Sequence, residues 1–212
     1  MLNLLRKLFK SNFNIFKKVS PYDGLELFFY YKFFLHYFTD YHKGKIADIL
    51  SSAKDELKFP IDYKYLEACF PGYKFKYIGL PKNESIFNGV DGLHRINGDT
   101  YYVFYNQELS QEYIRYTKVH ELIHFYQLKD RHFIKAMNGL VELCGLHDFV
   151  VSDLLEKATD FAAAIYLMPA EQFYKKLIET KNIYEVSNYF KVPMEAVMCR
   201  LKVGDQIKRP FG

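Results

Sequence analysis

Apolar residues recur at helical spacing at the start of the chain, alternate through its middle and return to helical spacing from about Ser110 onward. In MLNLLRKLFKSNFNIFKK (1–18), Leu2, Leu5, Phe9, Phe13 and Phe16 share one helical face, with Arg6, Lys7, Lys10, Lys17 and Lys18 interleaved. That is the pattern of a basic amphipathic helix. The next stretch, LELFFYYKFFLHYF (25–38), is apolar and aromatic, but Glu26, Lys32 and His36 interrupt it and it is too short to span a bilayer. Its aromatic run, 28–38, reads as core or as a surface for a second copy. A turn is expected at HKGK (42–45), which sets residues 1–45 apart as an N-terminal extension. Residues 46–57 and 62–70 read as short helices, the second entered through Pro60 and left at Pro71-Gly72.

The period then changes to two. YKFKYIG (73–79) alternates as a strand does, and Asn97-Gly98 joins a segment near 93–96 to TYYVFY (100–105) in a hairpin. A helix over 110–128 is capped by Ser110, has Glu112 in its first turn and buries Ile114, Val119, Leu122 and Ile123. Ser152 is the expected cap of a helix ending before Pro169, and Pro169 opens another that ends near 180. Asn182 and Glu185 form a capping-box pattern for 183–191, and Pro193 starts a last helix closed by Gly204. The expected fold class is α+β: a small sheet followed by a helical body over 46–204, with a helical extension in front. Residues 182–203 have the outline of a helix-turn-helix.

Composition narrows the partners. A chain of 212 residues suits one domain with an extension, and the formal net charge of +4 is well below that of proteins that live on phosphate backbones. Around the tail only Lys191, Arg200 and Lys202 carry positive charge, so DNA contact is weakly supported and a helical pair completing the core is the preferred reading. Cys69, Cys144 and Cys199 show no CxxC spacing and read as buried free thiols in a reducing cytoplasm. The N-terminus lacks a signal peptide's uninterrupted apolar run and cleavage site, which agrees with a cytoplasmic location. Packing of 1–18 onto protein is preferred over contact with a membrane surface.

The chemistry is concentrated in VHELIHF. His120 and His124, four residues apart on a helix, are separated by about 6 Å along its axis, so both imidazoles can reach one cation. Glu121 points to the side of that face, where it can take a proton from a water that the metal activates. Downstream, SDLLEKATDFAAAIYLMP (152–169) places Glu156 and Asp160 one turn apart. A catalytic Zn²⁺ site needs three protein ligands and an open position, and Glu156 supplies the third beside the two histidines. Asp160 is placed to accept a ring N–H from His120 or His124, which orients the imidazole. Ala158, Ala162, Ala163 and Ala164 form a small-residue stripe that would let this helix lie close to the one bearing the histidines.

The succession of YYVFYN, HELIH, EKATDFAAAIYLMP and NIYEVSNYFKVPMEAVMCRL resembles the ImmA/IrrE metallopeptidases over residues 46–204. The sequence departs from the family pattern near Phe161, where the family has its Phe one residue later, and at Ala158, where it often has an acidic residue. The resemblance implies a gluzincin-like fold in which His120, His124 and Glu156 bind zinc and Glu121 is the catalytic base. It also implies a bacterial or mobile-element setting and a partner transcriptional repressor as substrate. A hydrogen-bond donor to the developing oxyanion is expected, with His94, His147, Tyr126 and Tyr166 as candidates. Strand 100–105 leads into the active-site helix, and an exposed edge there could hold an extended peptide. The competing readings are a regulatory module that binds protein or DNA around a vestigial metal site, and a protein whose zinc only braces its helices.

Overall fold

The alternating middle of the chain forms a three-stranded sheet in a computed structural model that describes residues 24–52, 58–87, 90–144 and 148–207. The amphipathic stretch 1–18 and His147 lie outside the described residues. Strands β1 (Lys74–Leu80), β2 (Gly92–Asn97) and β3 (Thr100–Asn106) are ordered β1-β3-β2, with β3 parallel to β1 and antiparallel to β2. Tyr101 and Val103, two apart, are fully buried on one face of β3, as the pleat requires. Asn97 pairs with Thr100, so Gly98 and Asp99 make the turn, and Gly98 takes the φ of 60° that a two-residue hairpin demands at its first position. Because β3 is paired on both sides, the free edge expected on 100–105 is absent. The outer strand on the hairpin side is β2.

Helix α1 (Gly24–Ser52) runs straight through residues 42–45, where a turn is expected. The reason lies in its buried face: Leu35, Phe38, Thr39, His42, Ile46 and Leu50 follow helical spacing and are all buried. Gly44 has open space around it and interrupts nothing on that face. This packing against α5 outweighs the roughly 1 kcal/mol by which glycine disfavours a helix interior. The helix expected over 62–70 contracts to the single turn α2 (Lys64–Glu67), which buries Leu66.

The remaining elements among the described residues are helical. Ser110 caps α3 (Gln111–Lys129), its hydroxyl accepting from the Tyr113 N–H at 3.4 Å. After α4 (Arg131–Cys144) comes α5 (Asp148–Leu167), which starts a full turn before Ser152. Ser152 is therefore an exposed interior residue and not a cap: packing of the following face, with Leu154 and Ala158 buried, overrides its local preference. Pro169 precedes α6 (Ala170–Thr180), and Asn182 caps α7 (Ile183–Phe190) by accepting from the Tyr184 N–H at 2.9 Å. Helix α8 (Met194–Ile207) continues past Gly204, the expected stop, since Val203 is fully buried and carries the helix on.

One core joins these pieces. Ala158, Ala162, Ala163 and Ala164 are completely buried where α5 lies between α1, α3 and α8. The tail belongs to the same core through Val186, Phe190, Val192, Ala196 and Val197. Arg200, one of its three cations, is buried, donates from Nε to the Met168 carbonyl at 2.9 Å and stacks 5.0 Å from the Phe173 ring centre. It is not available to a phosphate backbone. No helix among the described residues is long and apolar enough to cross a membrane.

Candidate active site

Helix α3 crosses between the sheet and α5, so its successive residues face different partners. His120 and His124 turn toward α5, and their Nε2 atoms are 3.0 Å apart. Glu156 of α5 meets both, with Oε2 at 3.2 Å from His120 Nε2 and Oε1 at 3.4 Å from His124 Nε2. The candidate ligand atoms of the three residues lie within 4.8 Å of one another, a cluster that could hold a metal ion. Asp160, one turn further along α5, places Oδ1 3.0 Å from His120 Nδ1, and the Tyr116 hydroxyl donates to the same carboxylate at 3.2 Å.

The electrostatics follow from this crowding. Burial disfavours a charge on His120, but hydrogen bonds to Asp160 and Glu156 outweigh it and push its pKa up to about 10. Glu156 is held well below the usual carboxylate range by its hydrogen bonds to His120 and His124. Without a cation, a proton has to keep two imidazole nitrogens and a carboxylate together. A divalent cation would satisfy the same three lone pairs at once.

His124 is held differently. Its Nδ1 lies 3.2 Å from Gln127 Oε1, and Gln127 Nε2 lies 3.0 Å from Thr159 Oγ1 and 3.1 Å from His42 Nε2. His42, Gln127 and Thr159 are buried and uncharged polar groups that sequence reading did not single out. The three-residue spacing of His124 and Gln127 on one helix was the available signal, and nothing local points to His42.

Glu121 turns toward the sheet. It is 6 % exposed, its Oε2 lies 2.7 Å from His94 Nδ1, and its backbone carbonyl accepts from the Tyr101 hydroxyl at 2.6 Å. The His94 ring stacks on Tyr101 with centres 5.3 Å apart. Gly92 is required at its position: a Cβ there would lie 2.3 Å from Thr117 Cγ2 and 2.9 Å from Glu121 Oε1. The first residue of β2 thus passes directly against the carboxylate. His120, Glu121, His124 and Glu156 open onto a cavity of about 830 Å³, whose lining also includes the apolar Leu128, Phe133, Ile134, Met137 and Leu155.

Of the residues considered as oxyanion donors, only His94 among the described ones reaches this cavity. Tyr166 is buried elsewhere, donating to the Asp62 carbonyl at 2.6 Å, and Tyr126 packs edge-on against Phe70 at 5.7 Å. The family departures at Ala158 and Phe161 fall on buried positions of α5, where they bear on packing. A family model described as the IrrE N-terminal-like domain, of a peptidase family, matches residues 83–202, more than half of the chain. No curated protein matches the sequence.

Proposed function

The chain belongs to the IrrE N-terminal-like peptidase family, and from that premise we propose that it hydrolyses a peptide bond in a partner protein, with Zn²⁺ held by His120, His124 and Glu156 and with Glu121 as general base. One observation carries this reading: two imidazoles and a carboxylate converge within 4.8 Å beside a buried glutamate, and all four residues line one cavity. The donor set is one that zinc accepts, and three protein ligands leave a fourth position for chemistry. Bound zinc supplies Lewis acidity, polarising the scissile carbonyl and lowering the pKa of water toward neutrality.

The side chains do the rest. Asp160 accepts the Nδ1–H of His120 and so leaves Nε2 free to act as a ligand. Glu121 takes the proton of the attacking water and passes it to the leaving amine. His94 donates from Nδ1 to Glu121, which aims the carboxylate, and Tyr101 supports both by stacking on one and bonding the backbone of the other. With β3 paired on both sides, the strand offered to an extended substrate is β2, whose Gly92, Leu93 and His94 line the cavity. The reading takes residues 46–204 as the catalytic domain and 1–45 as its extension. It implies a cytoplasmic enzyme of a bacterium or mobile element whose substrate is a transcriptional repressor.

The test takes the repressor encoded beside this gene, if its neighbourhood holds one, and incubates it with wild-type protein and with Glu121→Gln. Wild type should cut it at one site, while Glu121→Gln should retain zinc and lose roughly 10²- to 10⁴-fold in rate. Equal cleavage by the two proteins, or zinc binding that survives loss of Glu156, would sink the assignment.

A further inference from the structure

The buried side of the site begins on α1, outside the region matched by the family model. His42 is 1 % exposed, and its Nδ1 lies 2.7 Å from the Phe38 carbonyl oxygen. A carbonyl only accepts, so Nδ1 carries a proton. Burial, the largest influence, holds the pKa of His42 down to about 4, and the neutral ring therefore has a lone pair on Nε2.

That lone pair decides the orientation of Gln127. The amide atom 3.1 Å from His42 Nε2 has to be the NH₂ group, because an amide oxygen there would require a doubly protonated, buried imidazole. The second N–H of Gln127 donates to Thr159 Oγ1 at 3.0 Å, and the nearest acceptor for the Thr159 hydroxyl is the Leu155 carbonyl at 2.8 Å, ahead of Gln127 Oε1 at 3.2 Å and His124 Nδ1 at 3.5 Å. The amide oxygen is left facing His124 Nδ1 at 3.2 Å and can only accept, so the proton of His124 sits on Nδ1. Its Nε2 then faces His120 and Glu156 and is the ring atom offered to a cation.

We propose that His42 is a positioning residue for the metal site, acting through Gln127 to fix the His124 tautomer that presents Nε2 to the cation. The proposal rests on the metallopeptidase reading for its purpose, but the tautomer itself is a property of the metal-free chain. Helix α1 thereby becomes part of the site: the buried face that packs it on α5 also carries the first link of the chain Phe38, His42, Gln127, His124. With Nδ1 unprotonated, the ring's one proton would instead be fixed on Nε2, inside the ligand cluster, and would have to move before metal could bind.

The experiment is long-range ¹H–¹⁵N correlation on the zinc-free full chain at pH 8, with zinc affinity measured separately by competition with a chromophoric chelator. In wild type Nδ1 of both His42 and His124 should carry a proton. His42→Phe should convert His124 to a tautomer mixture and weaken zinc binding about 10- to 100-fold. His42→Gln, whose amide oxygen can stand where Nε2 stood, should restore a single His124 tautomer and bring affinity within about threefold of wild type. The proposal is overturned by an unprotonated Nδ1 on His124 in wild type, which needs no variant to observe. It is equally overturned if a folded His42→Phe keeps both tautomer and affinity, or if His42→Gln fails to restore them. A chain that shows the stated tautomers and binds no zinc supports the positioning chain and defeats the metallopeptidase reading instead.

Discussion

His120 and His124 stand one turn apart on α3, and their surroundings hold them by different physics. On the His120 side the partners are carboxylates: Asp160 and Glu156 are each about half exposed and raise the histidine's proton affinity. Glu156 reaches Nε2 of His124 as well, but behind Nδ1 of His124 stand the neutral Gln127, Thr159 and His42, all buried. Charge attracts a cation and tolerates water around it. A neutral network has to be dry and fully paired to hold one geometry, because each unpaired buried group costs about 1–3 kcal/mol. The contrast teaches a division of labour in which the half-exposed carboxylates favour the metal and the buried amide fixes the direction of a ligand.

Acid should break this comparison most strongly. His42 has a folded-state pKa near 4 against an ordinary 6.5, so the unfolded chain takes up the proton first as pH falls. Its contribution is fully present above pH 6.5 and is lost on the way down to about 4. The loss is on the order of 3 kcal/mol. Urea unfolding of the zinc-free chain at pH 7.5 and 4.5 should show it, and His42→Gln should flatten the difference; parallel curves for the two proteins would contradict the assignment.

Gly92→Ala leaves both sets of partners in place and displaces Glu121 or β2. Cleavage should fall roughly 10- to 100-fold with zinc affinity unchanged, as measured by rate and by chelator competition. A parallel drop in zinc affinity would mean that β2 also supports the ligands. Asp160→Asn keeps the shape of the charged side and removes its charge, so zinc affinity should drop about tenfold. If affinity holds, the carboxylate acts only as a hydrogen-bond acceptor. The smallest effect belongs to Thr159→Val, which takes one acceptor from Gln127. It should cost about 1 kcal/mol in unfolding free energy and change zinc affinity by less than about threefold. A loss of affinity equal to that of Asp160→Asn would transfer the orienting role from His42 to the Thr159 hydroxyl.

Legibility followed the same divide. His120, Glu121 and His124 share a motif, and Glu156 and Asp160 repeat its four-residue spacing, so the five candidate positions stand in two short segments. Caps at Ser110 and Asn182 were equally local and occur as expected. The turn at 42–45, the cap at Ser152 and the stop at Gly204 were misjudged for one reason. Each is a weak local preference overridden by buried neighbours, as His42 and Ile46 carry α1 past Gly44. The free edge expected on 100–105 failed because strand order is a property of the sheet: β3 acquired β1 on one side and β2 on the other.

What this chain's sequence determined alone is whatever repeats within a turn or a pleat: the period of each segment, the face that bears the histidines and the spacing of the two carboxylates. Only the folded molecule decided that Glu156 meets both imidazoles, that Gly92 touches Glu121 and that a histidine 82 positions before His124 governs its tautomer. The physical reason is range. Helical and strand periodicity come from bonds between near neighbours, whereas a buried neutral hydrogen bond exists only once distant segments have excluded water together.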